Sequence, residues 1–186
     1  MDALMVALVA ALLVQASDRT LLTSAMLGTR FAQKAHCVAG MVLALAIGNG
    51  VGAFGGSLLA PYLSPPASDL LVALTLLSAG ISGLWPVTGR TSPARLGAFP
   101  ATFVTIGLLA IGDRTQFITA ALAARSATPV LPAVGAILGA VAINLPAVVL
   151  GERWLRRLPL RPVQIVAALL LTLVGTVQAL AAIGLI

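Results

Sequence analysis

Asp18-Arg19-Thr20 returns 95 residues later as Asp113-Arg114-Thr115, and each triplet sits inside an apolar segment long enough to cross a bilayer. Ionisable residues at membrane depth are expensive, so a chain that carries two matched sets has a use for them. The same offset relates Ala25 to Ala120, Leu27 to Leu122, Arg30 to Arg125, Gly40 to Gly135 and Asn49 to Asn144. Self-similarity at one fixed spacing means two copies of one unit, here read as residues 1–92 and 93–186.

The class follows from solubility. At 60% hydrophobic and 9% charged residues, with a mean hydropathy of +1.09, the chain cannot be an ordinary soluble domain. Apolar stretches fall near 3–28, 38–60, 70–87, 98–124, 130–150 and 163–186, broken by polar or Pro-rich pieces. Short segments of alternating polarity, the mark of a membrane β-barrel, are absent from the sequence. The expectation is an all-α membrane protein with six transmembrane helices, three per repeat. The first segment begins Met1-Asp2 without a basic region, so it is read as a retained helix and not as a cleaved signal.

Three is an odd number, so the second unit enters the membrane from the opposite face and the two repeats are inverted. With six spans, Arg125 is the single basic loop residue on the side of both termini. Arg30, Lys34, Arg90, Arg95, Arg153, Arg156, Arg157 and Arg161 occupy the other side. That bias places both termini outside and the basic loops in the cytoplasm, with Trp85 and Trp154 near the inner interface and Tyr62 near the outer one. The positive balance then reads as topology plus contact with anionic lipid, with no soluble domain to bind nucleic acid. Ten Arg against one Lys, with abundant Ala, suits the inner (plasma) membrane of a bacterium of high GC content.

Inverted repeats place a transport site near the midplane, where the two units meet. Counting about 15 residues into the first and fourth segments puts Asp18 and Asp113 there, from opposite faces. Neighbours on a helix diverge by about 100°, so each Arg is free to pair with the Asp of the other repeat. Such pairs would make a neutral, self-satisfied network, which is the structural reading of the same residues. Gly48, Gly52 and Gly56, like Gly135 and Gly139, recur every four residues and suit close helix crossings. Asn49 and Asn144 are either interhelical hydrogen-bonding residues or ligand carbonyls facing the site. Pro146 removes a donor within the fifth span. His36 and Cys37 stand alone, making neither a metal cluster nor a disulfide. No nucleophile–base set is present, and an enzyme is not expected.

The two triplets, each leading a helix that ends in Arg, resemble the six-helix calcium/manganese:proton exchanger family within the lysine-exporter superfamily. The stretch from Gly112 through Thr119 to Arg125 is especially similar. The resemblance covers nearly the whole chain and implies antiport of Mn2+ or Ca2+ against protons, with the lipid bilayer, the cation and protons as partners and no cofactor beyond the transported ion. It also implies that Asp18 and Asp113 bind the metal, with Gln15, Thr20, Thr115, Asn49 and Asn144 as further oxygens and Arg19 and Arg114 as charge partners. The family motif is Glu-x-Gly-Asp-(Lys/Arg)-(Thr/Ser) in each repeat. Here Gln15 and Ala110 stand at the Glu positions and Ser17 at the first Gly position. The motif charges therefore sum to zero where the family has −2, and hard divalent ions favour carboxylate oxygen. Export of a monovalent cation or a zwitterion, and a non-transporting membrane subunit, remain open alternatives. The oligomeric state is not legible.

Overall fold

A computed structural model describes residues 2–16, 18–85, 89, 96–155 and 157–185. Ser17, Arg90, Arg95 and Arg156 lie outside the described residues. Among those described, the chain is helical throughout, with no strand. In order come α1 (Asp2–Gln15), α2 (Arg19–Arg30), α3 (Lys34–Leu59) with a 3-10 turn at Ala60–Tyr62, and α4 (Pro65–Gly83). They are followed by α5 (Ala98–Ala110), α6 (Arg114–Arg125), α7 (Val130–Leu150), α8 (Glu152–Leu155) and α9 (Leu160–Ala182).

Four of these, α3, α4, α7 and α9, are long and apolar enough to cross a membrane, and α1 with α2 makes a fifth span if the pair is one broken crossing. Their outward faces carry large apolar side chains such as Phe54, Leu58, Leu169 and Val177. A water-facing protein does not display so many contiguously, whereas lipid would cover them.

The first and fourth apolar segments are not single helices, and this corrects the continuous spans read over 3–28 and 98–124. Each breaks at its Asp-Arg-Thr triplet. α1 ends at Gln15 and α2 starts at Arg19, with a bend of 68° between them. α5 likewise ends at Ala110 and α6 starts at Arg114. Asp18 and Asp113 are therefore not interior helical residues but the N-caps of α2 and α6, both in extended backbone. The reason is local. Asp offers its own carboxylate to the unpaired N–H groups of a new helix. Gly112 supplies a φ of 74° just before the second cap, a conformation that costs glycine little. A charge at that depth is better served by several fixed N–H donors than by a continuous helix that uses them up.

Small residues set the packing. Gly40 lies against Phe99, Thr102 and Phe103, and Gly135 lies against Leu4 and Leu8, so a side chain at either position would meet backbone. Gly80 faces Ala168 and Thr172 while Gly175 faces Ala73 and Leu77, which brings α4 and α9 into close contact. Gly48, Gly52 and Gly56 face Ala110, Gln116 and Ala120, and Gly139 faces Leu8 and Ala11. In lipid, where apolar side chains gain little by leaving the solvent, such close backbone approach is what holds helices together.

Candidate functional site

The two helix breaks face one another. Asp18 accepts from the Thr20 backbone N–H at 3.2 Å and the Thr20 hydroxyl at 2.6 Å. Asp113 accepts from the backbone N–H groups of Arg114 at 2.7 Å and Thr115 at 3.3 Å. Between them lies a cavity of about 390 Å³, lined by Asp18, Arg19, Asp113 and Arg114, with Leu108, Leu109 and Ile111 of the α5 end and Ser82 and Trp85 at the α4 end.

The triplets match in sequence but differ in their bonds. Arg114 reaches across the repeats to Asp18, Nη2 to Oδ1 at 2.9 Å, and its Nη1 donates to the Ala79 carbonyl of α4 at 3.4 Å. The pair is largely buried, with side-chain exposures of 16% and 10%. Arg19 is exposed within the cavity and makes no ion pair among the described residues. Asp113 has an amide for its cross-repeat partner, Gln15 Nε2, at 3.4 Å.

Gln15 is wholly buried and begins a chain of hydrogen bonds behind the cavity. Its Nε2 also donates to the Thr115 hydroxyl at 3.0 Å, and its Oε1 accepts from Asn144 Nδ2 at 2.8 Å. Asn144 Nδ2 donates to the Ala140 carbonyl at 2.8 Å, and Oδ1 accepts from the Ser24 hydroxyl at 3.1 Å. The Ala140 carbonyl, which can only accept, sets the direction of the whole chain. Gln15 must present its NH2 group to Asp113.

In the other half, the Thr119 hydroxyl is shared between the Thr115 carbonyl at 2.8 Å and Asn49 Oδ1 at 3.0 Å, and Asn49 Nδ2 donates to the Leu45 carbonyl at 2.9 Å. Asn49 and Asn144 thus make interhelical bonds, and both lie outside the cavity lining. Ala110 stands where Gln15 would have its counterpart, packed beside Gly48. Of the residues expected at the site, Asp18, Arg19, Asp113 and Arg114 line the cavity. Gln15, Thr20, Thr115 and Asn144 are buried behind it, and Asn49 lies beyond with Thr119.

Ser24 and Thr119 were not singled out from the sequence, although the signal is there. They stand at the same offset of 95 and one helical turn after Thr20 and Thr115. Gln116, which bridges the Gly112 N–H at 2.7 Å and the Gly48 carbonyl at 3.1 Å, has no polar counterpart at Leu21 and left no repeat signal. Among the described residues there is no group of three or more His, Cys, Asp or Glu able to hold a metal, so a divalent ion here would rest on two carboxylates plus neutral oxygens. Asp69 and Glu152 are at helix starts away from the cavity lining.

A family profile described as "Divalent cation/proton antiporter GDT1" matches the chain twice, over residues 3–91 and 98–184. A Vibrio cholerae serotype O1 protein named "Putative manganese exporter" is 29% identical over 182 residues, covering 96% of this chain and 91% of that relative. No solved structure matches the chain.

Proposed function

The chain belongs to the divalent cation/proton antiporter GDT1 family, a family of transporters and not of enzymes, and from that footing we propose that it exchanges Mn2+ or Ca2+ for protons through the cavity between Asp18 and Asp113. The observation that carries this reading is that both carboxylates line one cavity. A merely structural ion-pair network would have no need of that space. A cation entering would displace Arg114 from Asp18 and the Gln15 amide from Asp113, and protons would take its place on the return.

We further read the molecule as two inverted three-helix repeats, 1–92 and 93–186, in which α1–α2 and α5–α6 are each one broken span. Support comes from the helix starts, with α2 and α6 beginning 95 residues apart, and from contacts that repeat at the same offset, such as Gly40 with Phe99 and Gly135 with Leu4. The two profile matches also start 95 residues apart. Broken helices with N-termini turned toward the cargo are a recurrent transporter device. Both termini are placed outside a bacterial inner membrane by the Lys/Arg bias of the loops.

Arg19 favours a second reading. An exposed guanidinium lining the same cavity as Asp113, where the four charged residues sum to zero formal charge, could with that carboxylate receive the two charges of a zwitterion. One experiment separates these. Proteoliposomes with an internal pH dye are given Mn2+, Ca2+ or neutral amino acids, with Asp18→Asn/Asp113→Asn as control. Proton movement driven by the divalent ions and lost in the control is the expected result. Proton movement that persists in the control, or that only amino acids drive, overturns the divalent reading.

A further inference from the structure

Shifting every contact by 95 residues turns α1 into α5, α2 into α6, α3 into α7 and α4 into α9, so each packing contact should have a counterpart. Most do. α3 packs on α5 and α6 as α7 packs on α1 and α2. One set does not. α4 packs on α6 and α9 on α1, whereas α4 with α5 and α9 with α2 show no comparable packing among the described residues. The cores repeat this imbalance. Val72 and Leu76 of α4 and Leu171 of α9 join Ala7 and Val14 of α1 and Ile118 of α6 in one cluster. The cluster around Leu27, Met41, Ala98, Ile106 and Val148 contains no residue of α4 or α9.

The cavity occupies the unpacked side, between the ends of α4 and α5. Burial shows the same asymmetry at single positions. Leu109 lines the cavity, while its counterpart Val14 is 0% exposed.

Two polar ties hold α4 to α6 on the packed side. One is the bond from Arg114 to the Ala79 carbonyl, and the other is an ion pair between Arg125 Nε and Asp69 Oδ1 at 2.8 Å. The counterpart of Asp69 is Gln164, which carries no charge for Arg30 and instead donates to the carbonyls of Gly83 and Trp85 at 2.6 and 2.7 Å. The second tie is therefore one-sided by sequence.

We propose that the Arg125–Asp69 pair is a latch that holds the α4–α9 pair against α1 and α6, biasing the protein to the state whose cavity opens at the α4 C-terminal end. Release of the latch lets α4 and α9 move together onto α5 and α2. Arg19 then takes the place of Arg114, bonding Asp113 and the Val174 carbonyl, the equivalents of Asp18 and Ala79. The inference rests on the transport reading, since only a carrier needs the second state. The latch suits a moving part because an ion pair with side-chain exposures of 48% and 34% is weak enough to break in each cycle.

The test uses the full chain with buried Cys37 replaced by Ala, so that a single reporter cysteine can be placed at Val14 or Ser82. A membrane-impermeant thiol reagent is applied to vesicles of each orientation without any cargo. With the latch intact, Ser82→Cys labels and Val14→Cys is protected. Asp69→Asn or Arg125→Gln should raise Val14→Cys labelling about two- to fivefold and lower Ser82→Cys labelling, the shift that loss of one exposed ion pair supports. The reversed pair Asp69→Arg/Arg125→Asp should restore the original pattern. Unchanged labelling overturns the proposal, and so does a rise at both reporters, which would mean general loosening. Because no cargo is present, this outcome is independent of the flux assay. A protein that relabels as expected but moves no divalent ion would sink the divalent-cation reading and leave the latch standing in a carrier of other cargo.

Discussion

Replacing Gln15 by Glu restores one carboxylate at a position whose surroundings are known atom by atom. Asn144 Nδ2 already donates to Gln15 Oε1 and would donate equally to a carboxylate. The Thr115 hydroxyl, which accepts from Nε2, can rotate to donate. Only Asp113 objects. Its Oδ2 lies 3.4 Å from the atom that would become an oxygen. At an effective dielectric near 20, two like charges at about that distance repel by roughly 5 kcal/mol before relaxation. The same spacing fits two neighbouring ligands of an octahedral cation with bonds of about 2.4 Å. Gross attraction of a divalent ion to each oxygen is then above about 10 kcal/mol, most of it offset by dehydration. The expected outcome is a variant that melts lower than the parent in chelator and gains more from Mn2+ or Ca2+, with an affinity increase of about tenfold or greater. Thermal melts in detergent across a metal titration measure both. A folded Gln15→Glu protein whose melting point is unchanged in chelator and whose metal affinity is unchanged would refute the placement of Gln15 against Asp113. Ala110→Glu should behave differently, because Ala110 is buried beside Gly48 and a longer side chain must first displace α3. It should cost stability with or without metal.

Arg114→Lys should fail to rescue the loss caused by Arg114→Gln in proteoliposome flux, because one ammonium cannot hold Asp18 and the Ala79 carbonyl in the forked geometry of a guanidinium. Rescue by Lys would show that only the charge matters. Ser24→Ala and Thr119→Val each remove one hydroxyl-to-Asn bond between helices, and each should lower stability by about 0.5–1.5 kcal/mol in melts. Only Ser24→Ala should also alter metal response, since its chain leads through Asn144 to Gln15 and Asp113. Cysteines introduced near Arg157 should label only from the cytoplasm and those near Ser64 only from outside, and the reverse pattern would overturn the orientation read from the loops.

How much of the site could be read beforehand differs by residue. That Asp18 and Asp113 belong together is visible in their shared offset, and both line the cavity. The break in each helix also has a sequence signal, an Asp followed by a new periodic stretch and preceded in the second copy by Gly112, which is the signature of an N-cap. It is overridden by hydropathy when the segment is judged as one apolar run, because transfer energy sums over residues without regard to whether the helix is continuous. Ser24 and Thr119 were legible only as further members of the repeat. Their bonds to Asn144 and Asn49 join helices far apart in sequence.

Composition and the offset of 95 were enough to expect an apolar helical membrane chain that carries one Asp-Arg-Thr triplet in each half of its sequence. These are properties of local burial cost and spacing, which one dimension carries in full. The difference between the halves was decided only in three dimensions. Two identical triplets say nothing about which Arg pairs, yet Arg114 holds Asp18 while Arg19 stays in the open cavity. That outcome goes with α4 lying against α6 and α9 against α1, the packing that has no counterpart at the offset of 95. The residues that differ between the halves, Asp69 against Gln164 among them, act through partners on other helices, as Asp69 does through Arg125, so their effect is expressed only once the helices have met.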